Sequence, residues 1–310
     1  MNYTHKKGAF TSADKIHQIS YEIIIPDSKV KGIIQISHGM CEYFGRYLDF
    51  AKFLADNGYI VCGNDHLGHG NSVNSDAELG YFSIENGWQN AVKDLYTLTK
   101  IMKNEYGNLP YFLFGHSMGS FLARAYSVIY GEHLDGVVFC GTSGGVLGID
   151  NLIGVIKTLK KVHGDTHRSD KIYKLAFENY TRKIKDKTSE HDWITRDKDI
   201  VKKYDSNEKC NFNFTLNGYE NLMGVLQYVS STKWYSSYIK TLPTLIISGD
   251  NDPVGDYGKG PFKVFNNLSK KSCDVRLKLY SGARHELINE INNKEIYSDL
   301  LEFFQFNTRD

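Results

Sequence analysis

Two serines in this chain stand in the spacing Gly-x-Ser-x-Gly, which can carry a nucleophilic serine. The first is Ser117, in YFLFGHSMGSFLARAY, and the second is Ser143, in GVVFCGTSGGVLG. Such a nucleophile needs a sharp turn from a strand into a helix, with small residues two positions away on either side because neighbouring backbones come close. The spacing by itself gives two candidates and does not choose between them.

The segments that flank each serine favour the first candidate. Ser117 follows the strand-like YFLF and is followed at once by an amphipathic helix with Phe121, Ala125 and Val128 on one face. The N-terminus of that helix would present free N–H groups to a developing negative charge. Ser143 also follows a strand-like run, but the glycine-rich VLGIDNLIG after it has no clear helical face. We predict that Ser117 is the nucleophile and that Ser143 is a loop serine.

A nucleophilic serine needs a base, and the order of residues along the chain points to His285. A serine hydroxyl is a weak nucleophile near neutral pH, so an imidazole must take its proton and a carboxylate must orient the imidazole. For a serine on a strand-to-helix turn, the chain order is serine, acid, histidine. Of the eleven histidines, only His285 lies beyond the late strand-like run TLIIS, in the segment SGARHELINE. We predict that His285 is the base.

Three carboxylates compete for the role of the orienting acid. The strand-like PTLIISG leads directly into DNDPVGD, which contains Asp250, Asp252 and Asp256. Aspartate is also common as a turn former in such loops. Residue type and spacing therefore leave all three open.

The elements that would hold these residues alternate between strand-like and helix-like segments. This alternation predicts a mostly parallel sheet with helices on both faces. Pro261 is predicted to open a helix that buries Phe262 and Phe265. The predicted strands cover residues 17–25, 32–37, 59–64, 111–115, 136–140, 244–248 and 275–280, and the other predicted helices cover 42–57, 85–106, about 121–131 and a last segment with Ile296, Leu300, Phe303 and Phe304.

The alternation breaks down between Gly148 and Leu242. From Lys157 to Lys209 there are 15 Lys and Arg against 10 Asp and Glu, a local charge of +5. We predict an inserted, mainly helical lid over residues 148–242, between a first core part at 1–147 and a second at 243–310. The lid ends in an aromatic group that could shelter an acyl chain: Phe212, Phe214, Tyr219, Tyr228, Trp234, Tyr235 and Tyr238.

Composition narrows the class of protein and its partners. Hydrophobic residues make up 41% and aromatic residues 13%, which is typical of a globular enzyme, and the net charge of +1 predicts no nucleic-acid partner. The first segment lacks the features of a secretory signal, and there is no apolar run of membrane-spanning length. Five scattered cysteines without CxxC pairs predict free thiols and a cytoplasmic location, with Cys62 and Cys140 in the core.

Several motifs together resemble one known family. GHSMGS, SHGMCEYFGRY, NDHLGHGNS, SGDNDPVGDYG and SGARHELINE are similar to the monoacylglycerol lipase and lysophospholipase branch of the α/β-hydrolases, also called serine aminopeptidase-like. The resemblance runs from about Gly32 to the end of the chain and includes the lid. It implies the α/β-hydrolase fold, with a mostly parallel central sheet, helices on both faces and an inserted, mainly helical lid.

The resemblance also implies roles for particular residues. The acid of the family stands three residues after a strand-end glycine, here Gly249, which selects Asp252 and leaves Asp250 as a turn residue. The oxyanion donors of the family correspond to the backbone N–H groups of Met40 and Met118. The family needs no cofactor and no metal for this chemistry.

Other polar residues are expected to have structural roles. Asp65, His66 and His69 could suggest metal ligation, but the resemblance places them in a structural loop. His38 is expected to brace the loop that carries Met40. Cys41 would lie near the pocket, but it is not on the strand-to-helix turn and is not expected to attack substrate.

The leading hypothesis is a serine hydrolase that forms an acyl-enzyme on Ser117. Its substrate would be a small acyl ester or lipid, namely a monoacylglycerol or a lysophospholipid, with transient membrane-surface contact through the lid. A carboxylesterase, thioesterase or peptidase with the same three residues stays open, as does a non-catalytic homologue that binds a ligand. The sequence leaves the oligomeric state undetermined.

Overall fold

A computed structural model describes residues 3–308, and one eight-stranded sheet organises them. The order in the sheet is β1-β2-β4-β3-β5-β6-β7-β8, where β1 and β2 run antiparallel to their neighbours and every other pair is parallel. The strands are β1 (Tyr3–Thr11), β2 (Gln18–Pro26), β3 (Gly32–Ser37), β4 (Tyr59–Asn64), β5 (Tyr111–His116), β6 (Gly136–Cys140), β7 (Thr244–Gly249) and β8 (Val275–Tyr280).

Ten α-helices and four short 3₁₀ turns surround this sheet within the described residues. The helices are α1 (Leu48–Asp56), α2 (Gly87–Tyr106), α3 (Met118–Ile129), α4 (Ile149–His163), α5 (Asp170–Phe177), α6 (Lys198–Asp205), α7 (Leu216–Val229), α8 (Thr232–Ser237), α9 (Lys259–Ser269) and α10 (Asn293–Asn307). The 3₁₀ turns are Phe44–Tyr47, Asp76–Glu78, Gly131–His133 and Leu287–Asn289. None of the helices between residues 3 and 308 has both the length and the apolar character needed to cross a membrane.

Burial on both faces explains why the central strands are almost continuously apolar. Every residue of β3 to β7 is buried. Helices α1 and α10 pack on one face of the sheet, with Phe50 and Leu300 in the core there. Helices α2, α3 and α9 pack on the other face, with Leu95, Leu122 and Val264 in that core.

The parallel register brings the candidate catalytic segments to one edge of the sheet. Ser37 at the end of β3 is opposite Gly115 in β5, and His116 at the end of β5 is opposite Cys140 at the end of β6. The carboxyl ends of parallel strands meet at a common edge, which is where open α/β sheets bind ligands. The loops after β3, β5, β6, β7 and β8 therefore face the same space.

The structure corrects three expectations about the elements. Strand β1 was not predicted: it pairs only with β2, and its residues are mostly exposed, so it carries no apolar pattern. The helix expected over 42–57 is a 3₁₀ turn followed by the shorter α1. Phe262 was predicted to be buried but is 56% exposed, because α9 packs through Pro261, Val264 and Leu268 instead.

Residues 141–243, which we call the inserted segment, connect β6 to β7 and contain α4 to α8. The last two helices belong to the core packing: Leu226 of α7 and Trp234 of α8 are buried in the same cluster as α2 and α3. Helices α4, α5 and α6 carry more exposed and more charged residues. The inserted segment thus combines two helices packed against α2 and α3 with three helices that are more exposed.

Candidate active site

Ser117 occupies a strained turn between β5 and α3. Its backbone angles are φ 52° and ψ −122°, in a region that L-residues rarely adopt. Its N–H donates to the Cys140 carbonyl at 2.9 Å, and its carbonyl accepts from the Ser120 N–H at 2.8 Å. A Cβ on Gly119 would lie 2.0 Å from the Ser37 carbonyl oxygen, and one on Gly115 would lie 2.5 Å from the Gly119 carbonyl oxygen. Both glycines of the first motif are therefore required by close backbone approach.

His285 is hydrogen-bonded to Asp252 in a buried pair. The His285 Nδ1 lies 2.9 Å from the Asp252 Oδ2, and the two residues are 2% and 0% exposed. The other oxygen, Oδ1, accepts from the Val254 N–H at 2.8 Å. A carboxylate is only an acceptor, so this bond requires a proton on Nδ1, which leaves the Nε2 of a neutral His285 free to accept a proton.

The other two candidate acids make different contacts. Asp250 accepts from the Gly282 N–H at 2.7 Å, which closes the loop against the end of β8. Asp256 is exposed and forms an ion pair with Lys259. Of the three aspartates left open by the residue pattern, Asp252 alone contacts His285.

Ser117 and His285 line the same cavity, which has a volume of about 670 Å³. The Ser117 N–H donates to the Cys140 carbonyl, and Gly141 is the next residue along the chain. A Cβ on Gly141 would lie 3.0 Å from the His285 Cε1, so the imidazole packs directly against Gly141. Within residues 3–308 no hydrogen bond joins the Ser117 hydroxyl to His285. Such bonds are commonly long before a substrate binds. The structure brings acid and base into contact and places the serine on the same cavity wall.

The two candidate oxyanion donors also line this cavity. Met118 is the first residue of α3, and Met40 follows Gly39 in the loop after β3. Across residues 3–308, neither N–H donates to a protein acceptor. A Cβ on Gly39 would lie 3.0 Å from the Ser117 Cβ, so this loop runs against the serine. Two free N–H groups beside a nucleophile can bind the oxygen of a tetrahedral intermediate.

His38 holds the loop that carries Met40. Its Nδ1 donates to the Gly39 carbonyl at 2.8 Å, and its Nε2 accepts from the His66 N–H at 2.9 Å. Burial lowers the pKa of His38, so the imidazole is neutral and can make both bonds. The Gly39 carbonyl and the Met40 N–H belong to one peptide and point in opposite directions. His38 therefore fixes the direction of the Met40 N–H.

The loop with Asp65, His66 and His69 is held by hydrogen bonds within the loop and to residues 37 and 44. Asp65 accepts from the backbone N–H groups of residues 44 and 71, at 2.9 and 2.7 Å. The His66 Nε2 lies 3.0 Å from the Ser37 hydroxyl, and the His69 Nδ1 donates to the Leu67 carbonyl. No group of three or more potential ligands in residues 3–308 is arranged to hold a metal ion.

A buried polar network around Glu42 contacts the loop that carries Met40, and the sequence did not predict it. Glu42 accepts hydrogen bonds from the Gly39 N–H, from the Tyr47 hydroxyl at 2.7 Å and from the His116 Nδ1 at 2.9 Å. Burial opposes the charge of Glu42 but is outweighed by His116 and Arg46, so its pKa lies below the ordinary value. Burial also opposes charge on His116, but the Glu42 carboxylate raises the pKa of this histidine.

Arg46 links this network to the loop of His285. Its guanidinium donates to the Glu42 Oε2 at 2.9 Å and to both oxygens of Glu286, at 2.6 and 2.7 Å. The ring of Tyr204 lies 4.9 Å from the guanidinium carbon. The spacing of Glu42 and Arg46, four residues apart, was a signal for half of this network. Glu286 lies 240 residues further on and gave no signal.

The cavity has apolar and acidic walls. Its lining includes Glu42, Asp170 and Glu286, and contains no Lys or Arg among the described residues. Of the aromatic group expected to shelter an acyl chain, only Phe212 lines the cavity, because the other members pack in or against the core. The apolar walls are instead formed by Phe121, Val146, Leu147, Leu152, Val155, Leu175, Phe177, Trp193, Leu222, Met223, Leu226 and Val254.

Cys41 is buried beside the cavity, and its thiol donates to the Phe212 carbonyl at 3.1 Å. Burial raises the pKa of this thiol well above its ordinary value, so the thiolate is disfavoured. These contacts are those of a buried structural cysteine.

A mostly parallel eight-stranded sheet, with a serine on a strand-to-helix turn and a buried acid–histidine pair at the carboxyl edge, defines a hydrolase of the α/β-hydrolase fold. The family model for "Serine aminopeptidase, S33" matches residues 28–292. The chain belongs to this family, which confirms the family and the fold class that its motifs predicted.

Known relatives define the activity class. The chain is 28% identical over 284 residues to the monoacylglycerol lipase of Mycolicibacterium smegmatis, covering 91% of each chain. It is 27% identical over 268 residues to the human monoglyceride lipase, covering 86% of this chain and 79% of that one. A carboxyl esterase from Bacillus coagulans in complex with glycerol has a TM-score of 0.93 and 30% identity, over 99% of this chain and 100% of that one. The protein is a carboxylic ester hydrolase.

Proposed function

We propose that the enzyme cleaves acyl esters through an acyl-enzyme on Ser117, with His285 as base and Asp252 as the orienting acid. The observation that carries this proposal is the buried Asp252–His285 hydrogen bond at the wall of a cavity that Ser117 also lines. The strained backbone of Ser117 and the free N–H groups of Met40 and Met118 support the same assignment.

The reaction follows from these positions. The Ser117 Oγ bonds to the ester carbonyl carbon while the His285 Nε2 takes its proton. The Met40 and Met118 N–H groups bind the resulting oxyanion, each contributing about 3 kcal/mol in the transition state. The imidazolium, stabilised by the Asp252 carboxylate, then gives its proton to the departing alcohol. Water activated by His285 releases the acid and regenerates Ser117.

For the substrate we favour a neutral monoacylglycerol over a lysophospholipid. The relatives named as lipases of monoacylglycerol support this class. The apolar wall can take an acyl chain, and the Asp170 carboxylate on the lining can accept hydrogen bonds from hydroxyls. A phosphate would find no lining Lys or Arg to pair with in the described part of the chain, and it would share the cavity with the Asp170 carboxylate, which is unfavourable.

We further propose that the inserted segment, within the lid range 148–242, acts as a lid over the cavity. Helices α4 and α5 contribute Leu152, Val155 and Leu175 to the cavity wall, and the latter two are also largely exposed. Leu147, just before α4, lines the cavity and is fully exposed. An exposed apolar rim at the mouth favours transient contact with a lipid surface that delivers the substrate.

The chemistry is tested by Asp252→Asn with Asp250→Asn as its matched control. We expect Asp252→Asn to lower kcat on a short nitrophenyl ester by about 10⁴-fold, because the imidazole loses its orienting carboxylate. Asp250→Asn should keep kcat within about threefold, since it only closes a loop. Failure of a fluorophosphonate to label Ser117 in the folded wild type would contradict the acyl-enzyme.

The substrate class is tested by comparing kcat/KM for a monoacylglycerol, a lysophosphatidic acid, an acyl-CoA and a dipeptide amide with matched acyl groups. We expect the monoacylglycerol to react fastest and both phosphate-bearing esters to react at least about tenfold more slowly, which corresponds to about 1.4 kcal/mol. A faster reaction with the lysophospholipid or the acyl-CoA would contradict the preference for a neutral head group.

The surface contact is tested with Leu147→Ser and, as an exposed apolar control outside the cavity lining, Ile16→Ser. Leu147→Ser should lower the rate on emulsified long-chain monoacylglycerol about tenfold, while the rate on a soluble short ester stays unchanged. Ile16→Ser should change neither rate. Equal rates for Leu147→Ser and wild type on the emulsion would remove the proposed contact.

We also propose a cytoplasmic location. All five cysteines are free thiols, and two of them lie inside the central strands. Alkylation after rapid acid quenching of cells should modify five thiols in the denatured protein. A disulfide detected in the same experiment would contradict a reducing compartment.

A further inference from the structure

The candidate catalytic groups come from three segments that are far apart in sequence. Met40 follows β3, Ser117 follows β5, and His285 follows β8. We propose that Arg46 is a positioning residue whose guanidinium, shared between Glu42 and Glu286, holds the Met40 N–H in register with the His285 imidazole. This inference rests on the proposed function, because it takes Met40 as an oxyanion donor and His285 as the base.

The first link runs from Arg46 to the loop of Met40. Glu42 accepts from the Gly39 N–H, and Gly39 immediately precedes Met40. The same carboxylate contacts the Tyr47 hydroxyl and the His116 imidazole, so its position is fixed from several sides. A displaced Glu42 carboxylate would release the Gly39 N–H and loosen the peptide that carries the Met40 N–H.

The second link runs from Arg46 to the loop of His285. Glu286 is the neighbour of His285, and both of its oxygens accept from Arg46 in a fork. Its Oε2 also accepts from the Asn289 amide at 3.0 Å, and its N–H donates to the Ile194 carbonyl at 2.6 Å. The Arg46 fork thus restrains the residue next to the base.

A third contact closes the arrangement behind the serine. His116 precedes Ser117, its Nε2 lies 3.3 Å from the His285 carbonyl, and the two imidazole rings are 4.8 Å apart. The Nδ1 of the same ring contacts Glu42. The network of Glu42, Arg46, His116 and Glu286 therefore touches all three segments.

Burial makes Arg46 hard to replace. Its side chain is 11% exposed, and those of Glu42 and Glu286 are 3% and 4% exposed. Without the guanidinium, two buried carboxylates would face each other with no cation between them. A lysine supplies the charge but cannot make the planar fork to one carboxylate while it contacts the other.

The chain contains a matched control pair in the same loop. Arg196 donates to the Glu290 Oε2 at 2.9 Å, and Glu290 lies four residues after Glu286 and is buried. This pair is also an Arg–Glu bridge between distant segments, but it makes no hydrogen bond to the loop of Met40 among the described residues. Loss of Arg196 should destabilise the fold without disturbing the two catalytic loops relative to each other.

The experiment compares Arg46→Gln, Arg46→Lys and Arg196→Gln on a short nitrophenyl ester, together with inhibition by a trifluoromethyl ketone that mimics the tetrahedral intermediate. For Arg46→Gln we expect kcat to fall roughly 100-fold and the ketone to bind weaker by a similar factor, while KM changes less than about threefold. The kcat and the ketone affinity of Arg46→Lys should lie between those of wild type and Arg46→Gln. Arg196→Gln should keep kcat and ketone affinity within about twofold, although its Tm falls.

If Arg46→Gln folds and keeps wild-type kcat and ketone affinity, the positioning role is wrong. If it does not fold, Glu286→Gln tests the same fork and should weaken ketone binding at constant KM; an unchanged affinity overturns the proposal. In the double variant Arg46→Gln/Glu286→Gln, the loss of ketone affinity should match the larger of the two single-variant losses. If the two single-variant losses multiply instead, the proposal is overturned. Failure of the proposed function is separate, because it would appear as ester hydrolysis that persists in the Ser117→Ala variant.

Discussion

Ser117 and Ser143 follow neighbouring parallel strands in the same Gly-x-Ser-x-Gly spacing, and both line the cavity. Their backbones differ. Ser117 has a positive φ, and α3 begins at the next residue, whereas the chain after Ser143 continues as a loop until Ile149. The Ser117 hydroxyl has no hydrogen bond in the described chain, while that of Ser143 accepts from the Gly145 N–H at 3.2 Å.

The glycines of the two motifs serve different neighbours. Gly119 allows α3 to approach the carbonyls at the end of β3. In the second motif, Gly141 leaves room for the His285 ring and Gly144 packs against the backbone of Gly260. A shared spacing can therefore arise from two unrelated packing demands. The turn that follows each serine is what distinguishes the proposed nucleophile Ser117 from Ser143.

Replacement of the two serines should give the largest contrast. Ser117→Ala should lower kcat on a nitrophenyl ester by at least about 10⁴-fold, because the bond to the acyl carbon can no longer form. Thermal unfolding should show that the variant is folded. Residual hydrolysis close to the wild-type rate would mean that the strained turn does not mark the nucleophile.

The second-largest contrast is expected from alanine substitution of the glycine two residues after each serine, Gly119 and Gly145. A Cβ at Gly119 would clash with the Ser37 carbonyl, so Gly119→Ala should cost about 3 kcal/mol or more in unfolding free energy and lower kcat about 100-fold. Gly145 has φ 101°, and a Cβ there would meet the Ser230 side chain, with its Oγ at 2.9 Å and its Cβ at 3.1 Å, so Gly145→Ala should cost roughly 1–2 kcal/mol with kcat nearly unchanged. Urea unfolding and ester hydrolysis measure both effects, and a reversed order would break the contrast.

The second turn should respond in stability rather than in activity. Arg124 is fully buried, donates to the carbonyls of Ser143 and Val229 at 2.8 and 2.6 Å, and lies 4.6 Å from the ring centre of Trp234. Arg124→Gln should lower the unfolding free energy by about 1–3 kcal/mol, because these carbonyls lose their donors. Its kcat should stay within about threefold of wild type. A large loss of kcat at unchanged stability would assign the second turn a catalytic role.

The smallest effect is expected from Ser143→Ala. The variant loses one hydrogen bond to the Gly145 N–H, so its unfolding free energy should fall by about 1 kcal/mol or less. Its kcat/KM for the nitrophenyl ester should stay within about twofold of wild type. A loss above about 100-fold would place Ser143 among the reacting groups.

The strands could be predicted from the sequence where both of their faces are buried, because such strands are apolar at nearly every position. Strands β3 to β7 are buried throughout, and their apolar runs predicted their positions to within a residue. Strand β1 lies at the edge of the sheet with exposed Lys6 and Lys7, so it has no apolar pattern from which a strand could be predicted. Phe262 was misplaced because composition does not show which face of α9 meets the sheet.

The order of residues along the chain was enough to propose two of the three candidate catalytic residues. The Gly-x-Ser-x-Gly turn and the single late histidine selected Ser117 and His285, whereas Asp252 needed the resemblance because three aspartates fit the same loop. The fork from Arg46 to Glu286 joins residues 240 positions apart, and no local pattern encodes such a contact. Long-range pairs of this kind have to be seen in three dimensions.

Three buried imidazoles that pack together, those of His38, His66 and His69, should make the stability of the fold sensitive to acid. Burial lowers the pKa of His38 and His66, and lowers that of His69 to about 3. In the unfolded chain these groups bind protons near pH 6.5. As the pH falls below about 6.5, these histidines bind protons in the unfolded state but stay neutral in the folded state. Each of them therefore lowers the unfolding free energy by up to about 1.4 kcal/mol per pH unit. For His69 this loss continues down to about pH 3, so the unfolding free energy should fall steadily as the pH is lowered from about 6.5 towards this value.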